Sequence, residues 1–167
     1  MVRQLQYLPP TDNMSHWMYE IRNRYKWLLQ MGGEKVWLLK RRWVGEDCPN
    51  MDPVRNTHRH VDKCEICYGT GFIGGFYPAV QIMASLIYAT TERIVRYEYG
   101  MRREYEPKSW TLWKPILRNK DLIVRKDGKR FWIQNVTPTR WRGIFLRQNF
   151  DLAEVEPDNI VYTVPVL

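Results

Sequence analysis

The chain has 167 residues, 44% of them hydrophobic, and sets 26 Lys and Arg against 18 Asp and Glu for a formal charge of +8. That length and apolar content suit one folded domain with its own core, and they exclude a disordered tail or a disulfide-dependent miniature. No stretch reaches the roughly 18 apolar residues of a membrane span, and the opening MVRQLQYLPPTDN lacks the apolar segment of a secretory signal.

The basic excess fits contact with nucleic acid or with an acidic protein surface, or it serves solubility alone. Eight Trp and ten Tyr form a heavy aromatic load of the kind that cores and interfaces use. Three cysteines, an odd number with no signal segment, point to a reducing interior with thiols reduced or bound to metal.

Residues 1–13 read as an extended arm through Pro9-Pro10. Thr11, Asp12 and Asn13 are good helix caps. Met14, Trp17 or Met18, Ile21, Tyr25, Leu28 and Leu29 then fall at helical spacing, which predicts an amphipathic helix over 14–31, with Glu20, Arg22, Asn23, Arg24 and Lys26 mostly on its polar face. Gly32-Gly33 stops it. Lys35–Val44 reads as a strand that leads into a cysteine/His loop, 46–75.

Beyond the loop the period becomes two. The 78–82 stretch is short and extended, and alternation from Arg93 to Met101 predicts a strand. A strand over 121–124, the Asp127-Gly128 turn and Phe131-Trp132-Ile133 form a hairpin, with both turn residues expected at positive φ. Alternation over 144–152 gives another strand, and 159–167 reads as a closing strand or a docking tail. The expected fold is therefore mainly β: a small antiparallel β-sandwich or barrel, 76–158, with an N-terminal amphipathic helix and an inserted cysteine-knuckle loop, all in a single domain, 1–167.

The chemistry concentrates in the loop. Cys64 and Cys67 form a C-x-x-C knuckle followed by glycines, Cys48 lies upstream, and His58 and His60 fall between. Two thiolates at this spacing, a third thiolate and one imidazole meet the tetrahedral demand of a structural zinc ion. The other reading is three reduced thiols packed as small hydrophobes. No Ser/His/Asp arrangement, nucleophile elbow, phosphate-binding loop or H-E-x-x-H helix is present, so turnover is not expected. Cations sit beside aromatics at Trp43 and at Arg140-Trp141-Arg142, and further tryptophans stand at Trp110 and Trp113. These are candidate interface residues, because Trp, Tyr and Arg are the usual anchors of protein contacts. The same interleaving also serves nucleic acid, by phosphate contact and stacking.

The run from Cys64 to Pro78, CEICYGTGFIGGFYP, resembles the C-x-x-C-Y-G-T-G-F-x-G-G-Y-Y-P segment of head–tail connector or neck proteins of tailed bacteriophages. The preceding half of that pattern, C-P-x-C, stands here as Cys48-Pro49-Asn50-Met51, with Met51 where the second cysteine belongs. Cys64-x-x-Cys67-x-Gly69-x-Gly71 is also similar to one unit of the zinc region of DnaJ-type chaperones, which repeat it four times. The phage resemblance implies a virion structural protein, made in the host cytoplasm and found in the neck or tail region. Such a protein forms a homo-oligomeric ring that joins portal to tail, with sequence-independent DNA contact in the channel and no membrane partner. The runner-up is a zinc-knuckle nucleic-acid-binding domain.

Overall fold

The structure, a computed structural model, describes residues 16–52, 57–58, 64–87, 92–97, 100–105 and 108–166. The predicted arm, 1–13, and His60 lie outside these residues, and His58 is described for its backbone alone.

Among the described residues one α-helix, α1 (His16–Gly32), precedes ten strands: β1 (Glu34–Leu39), β2 (Met51–Asp52), β3 (Thr57–His58), β4 (Val80–Ser85), β5 (Glu92–Tyr97), β6 (Gly100–Tyr105), β7 (Ser109–Leu112), β8 (Leu122–Val124), β9 (Arg130–Trp141) and β10 (Ile144–Glu154). Six of them close into an antiparallel barrel in the order β1-β4-β7-β10-β9-β8, with β8 returning to β1. The expected β fold is thus a barrel and not a sandwich. Its interior is filled by Val36, Leu38, Ile82, Ala84, Leu117, Ile123, Ile133 and Phe150. All but Leu117, which comes from the connection between β7 and β8, lie on strands, and Val36/Leu38 and Ile82/Ala84 occupy alternate positions, as the pleat requires.

A second apolar layer lies outside the wall and contains Leu39, Phe76, Leu122, Val124, Val155, Val161 and Val164. It explains why β8 is buried at all three residues: Ile123 belongs to the interior cluster, while its neighbours belong to this layer. A strand covered on both faces reads as a continuous apolar run. The predicted closing strand is a 3-10 helix, Ile160–Thr163, capped by Asn159. The Arg130 guanidinium draws this segment onto the chain's own barrel by donating to the carbonyls of Val161 and Val164.

The helix packs on β4, β7 and β10. Met18 and Leu29 are buried, whereas Leu28, predicted for the apolar stripe, is exposed. Arg22, predicted for the polar face, is an anchor. It donates to the Phe145 carbonyl at 3.1 and 2.9 Å and stacks on Trp113. Trp17 meets Trp141 edge to face, and Tyr25 meets Trp110 likewise. The residues Met18, Arg22, Tyr25 and Leu29 therefore define the inward face, rotated away from the purely apolar stripe because an arginine with stacked aromatics supplies part of the contact. Gly33 ends the helix, since its N–H bonds Leu29 O at 2.8 Å and an added Cβ would lie 2.6 Å from that oxygen.

Other elements differ from expectation. The alternation over 93–101 spans two strands, β5 and β6, paired antiparallel with Tyr97 opposite Gly100. Periodicity cannot register a reversal whose flanks keep the same phase. At the 125–129 turn only Gly128 has positive φ, with Gly128 N bonded to Arg125 O and Asp127 Oδ1 accepting from Lys129 N.

Candidate metal centre

The stretch between β1 and β4 continues their pairing beyond the barrel as a two-armed ribbon. Tyr77 N donates to Lys40 O, Arg42 N to Gly75 O, Ile73 N to Glu46 O and Cys48 N to Gly71 O, all at 2.8–3.0 Å. The ladder brings Cys48, on the outgoing arm, against the Cys64–Gly71 turn. At that turn Tyr68 N bonds Cys64 O and Thr70 N bonds Cys67 O. Gly75 is needed there: it has φ 58°, and a Cβ on it would stand 2.6 Å from the Cys67 carbonyl oxygen.

The three sulphurs lie within 4.8 Å of one another. Cys48, Cys64 and Cys67 are 2%, 4% and 0% exposed and form a cluster separate from both barrel layers. Cys48 Sγ and Cys64 Sγ are 3.6 Å apart, well beyond a disulfide bond of about 2.05 Å. A tetrahedral ion with Zn–S bonds of about 2.3 Å sets its sulphurs roughly 3.8 Å apart, so the observed spacing fits. These three side chains could hold a metal ion together.

The surroundings favour thiolate. Burial works against ionisation of Cys64, but donors outweigh it: the Asn50 amide at 3.4 Å, the N–H groups of Cys67 and Ile66, and the Cys48 thiol draw it down to about 6. Burial pushes Cys48 up to about 11, with the neighbouring thiols adding to the rise and the Asn50 N–H opposing it. Two buried sulphurs this close do not ionise together without a cation between them. N–H donors aimed at cysteine sulphur are the usual outer shell of a thiolate metal site.

The ribbon is tied to the barrel at its base. Asp121, fully buried, accepts from Arg41 N at 3.0 Å and from Arg118 N at 2.8 Å. Lys40 Nζ lies 3.8 Å away. Burial raises the Asp121 carboxyl pKa despite these partners. The Arg41 side chain reaches the knuckle, donating to Thr70 O at 3.1 Å and stacking on Trp43. Neither Asp121 nor Gln148 was singled out in the sequence, since nothing local marks a polar residue as buried. Gln148, also fully buried, accepts from Leu117 N and donates to the carbonyls of Leu112 and Pro115.

Among the candidate interface residues, Trp110 and Trp113 lie in the seam under α1. Trp43 and Trp141 are 44% and 41% exposed, Arg142 stacks on Trp141 and Arg140 on Phe145. Trp43 and Arg140 line an open groove of about 630 Å³ with Ile116, Arg118, Pro138 and Phe145, and no acidic residue takes part. No helix among the described residues is long and apolar enough to cross a membrane. No protein-family model matches the chain, and no curated protein is significantly similar to it.

Proposed function

We propose that this chain is a structural protein of a tailed-phage virion, a ring-forming neck component between portal and tail, and that one structural zinc ion fastens its ribbon. The observation that carries the reading is the buried three-thiol cluster, formed by the segment that resembles neck proteins, at the end of a ribbon standing off a closed barrel. Where the barrel closes it has no free sheet edge to offer, and the exposed apolar residues of the helix and the ribbon, with the groove, supply surface for contacts between copies. Trp27, Leu28 and Met31 on α1 and Trp43, Val44, Ile66 and Ile73 on the ribbon are exposed, an amount of apolar surface that suits burial by neighbours. The groove, with Arg118 and Arg140 beside Trp43 and Ile116, suits an acidic, partly apolar segment of an adjoining ring. The work of the protein is adhesion and geometry, not turnover.

Zinc is the ion of choice because three soft thiolates with one further donor in a closed tetrahedron select it over harder cations. The test is assembly. Purified protein imaged alone and with portal-bearing heads should form discrete rings or join the particles at the neck. A protein that stays monomeric and never enters particles contradicts the proposal.

A second reading, a zinc-containing nucleic-acid-binding domain, draws on Arg42 over Tyr77 and Arg142 over Trp141. It requires affinity for DNA or RNA that falls with salt at a log–log slope of about 0.9 per phosphate neutralised. A neck component shows at most weak, sequence-blind binding.

A further inference from the structure

We infer that the acidic turn 154–158 of one copy docks in the basic groove of the next, so that the chain associates head to tail; this rests on the ring reading above. The groove sets Arg118 and Arg140 among Trp43, Ile116, Pro138 and Phe145 and contains no acidic residue. Arg140 lies over the Phe145 ring. Such a surface calls for a partner that brings carboxylates together with some apolar area.

The chain carries a segment of that kind. At the end of β10 it reads Glu154-Val155-Glu156-Pro157-Asp158, and all of these but Val155 are exposed. Lys129 pairs with Glu154 at 3.4 Å, whereas Glu156 and Asp158 have no cationic partner among the described residues. The turn is fastened from both sides. Val155 is buried in the outer apolar layer and its N–H bonds Arg130 O, Asn159 N bonds Glu156 O, and Asn159 caps the 3-10 helix. Two carboxylates flanking a proline are thus presented with little left to order on binding.

A copy does not fill its own groove. Arg140 pairs with Phe145 and Phe131 with Glu154, so the nine residues from Phe145 to Glu154 span roughly 30 Å at about 3.4 Å each. The fastened turn therefore stands at the other end of the β9–β10 hairpin from Arg140. Contact between two different patches is heterologous, and each added copy leaves one groove and one turn open until a ring closes. An isolated surface ion pair contributes little. The apolar lining supplies the rest, since it seats Pro157 and shields the flanking pairs from water.

Sedimentation velocity and native mass spectrometry of the full chain test this on the parent, on R118E/R140E, on E156R/D158R and on the equimolar mixture of the two variants. The parent should form assemblies larger than a dimer that weaken as salt rises. Each variant alone should associate at least tenfold more weakly, because like charges then face each other. The mixture should recover assemblies with equal numbers of the two chains, since each reversed patch then meets its opposite; recovery also shows that both variants fold. Parent-like assembly by either variant alone overturns the proposal, and so does a mixture that fails to recover. If R118E/R140E still forms rings but no longer joins portal-bearing heads, the groove's occupant is an adjoining ring and not a second copy. A parent that stays monomeric, alone and with heads, overturns the ring reading itself, an outcome distinct from the others.

Discussion

Removing the metal should open the ribbon and leave the barrel standing. The thiol cluster shares no member with the two apolar layers, so the barrel keeps its core when the ion leaves. The ribbon has little else. Apart from its cysteines, the fully described part of the excursion buries only Thr70, Gly71, Gly75 and Phe76, and Phe76 belongs to the barrel's outer layer. Burying a side chain of cysteine size is worth roughly 1–2 kcal/mol at about 25 cal/mol per Å². A structural zinc site contributes apparent binding energy of about 10–16 kcal/mol. On the proposed reading the ion therefore dominates the local stability. At about 1.4 kcal/mol per decade, even a third of that energy lowers protection of the ribbon amides about a thousandfold. Hydrogen exchange with and without a strong chelator reads this directly. The N–H groups of Cys48, Tyr68, Thr70, Ile73 and Gly74, all bonded within the ribbon, should lose that protection, while those of β9 and β10 keep theirs. Ribbon amides equally slow in both states would refute the reasoning, as would a barrel that melts along with the ribbon.

Further outcomes follow from single positions. Gly75→Ala, with its Cβ 2.6 Å from Cys67 O and φ at 58°, should destabilise the knuckle by about 1–3 kcal/mol, seen as weaker zinc retention in competition assays with barrel circular dichroism unchanged. Gln148→Leu removes one acceptor and two donated bonds at a fully buried position; each buried group left unpaired costs about 1–3 kcal/mol, so urea denaturation should show a loss of several kcal/mol. Asp121→Asn turns one acceptor oxygen into a donor facing Arg41 N or Arg118 N and should cost about 1–3 kcal/mol at neutral pH. Because burial raises the Asp121 pKa above its ordinary 3.8, the folded chain holds that proton more tightly than the unfolded one. Its contribution is therefore largest below 3.8 and declines as pH rises through the raised value. Denaturation midpoints across acidic pH should show this slope in the parent chain and lose it in the asparagine variant.

Much of the barrel was legible because local chemistry and fold agree there. Gly128 marked the β8–β9 hairpin, and β10 carries the alternation of a wall strand with Leu146, Gln148 and Phe150 buried. The far half of β9 was not legible. The expected strand covers only Phe131-Trp132-Ile133, yet it continues through Pro138 to Trp141, and beyond Ile133 it pairs only with β10; such an edge tolerates proline. The turn that joins them, with Arg142 at φ 47° and Gly143 at φ 82°, holds an arginine where glycine or asparagine is the expected signal. The thiols were legible from spacing alone. Their support was not: Arg41 and Asp121 meet across 80 positions of sequence, and the helix is held by an arginine that its pattern placed in solvent.

Native mass spectrometry of the purified protein, with elemental analysis of the same sample, tests the central claim that a metal-bound thiol cluster fastens the ribbon. The account predicts one zinc per chain, lost together with ribbon protection on chelation and absent from the Cys64→Ser, Cys67→Ser double variant. Stoichiometric protein that carries no zinc, takes none up when it is offered, and still protects the ribbon amides would contradict it.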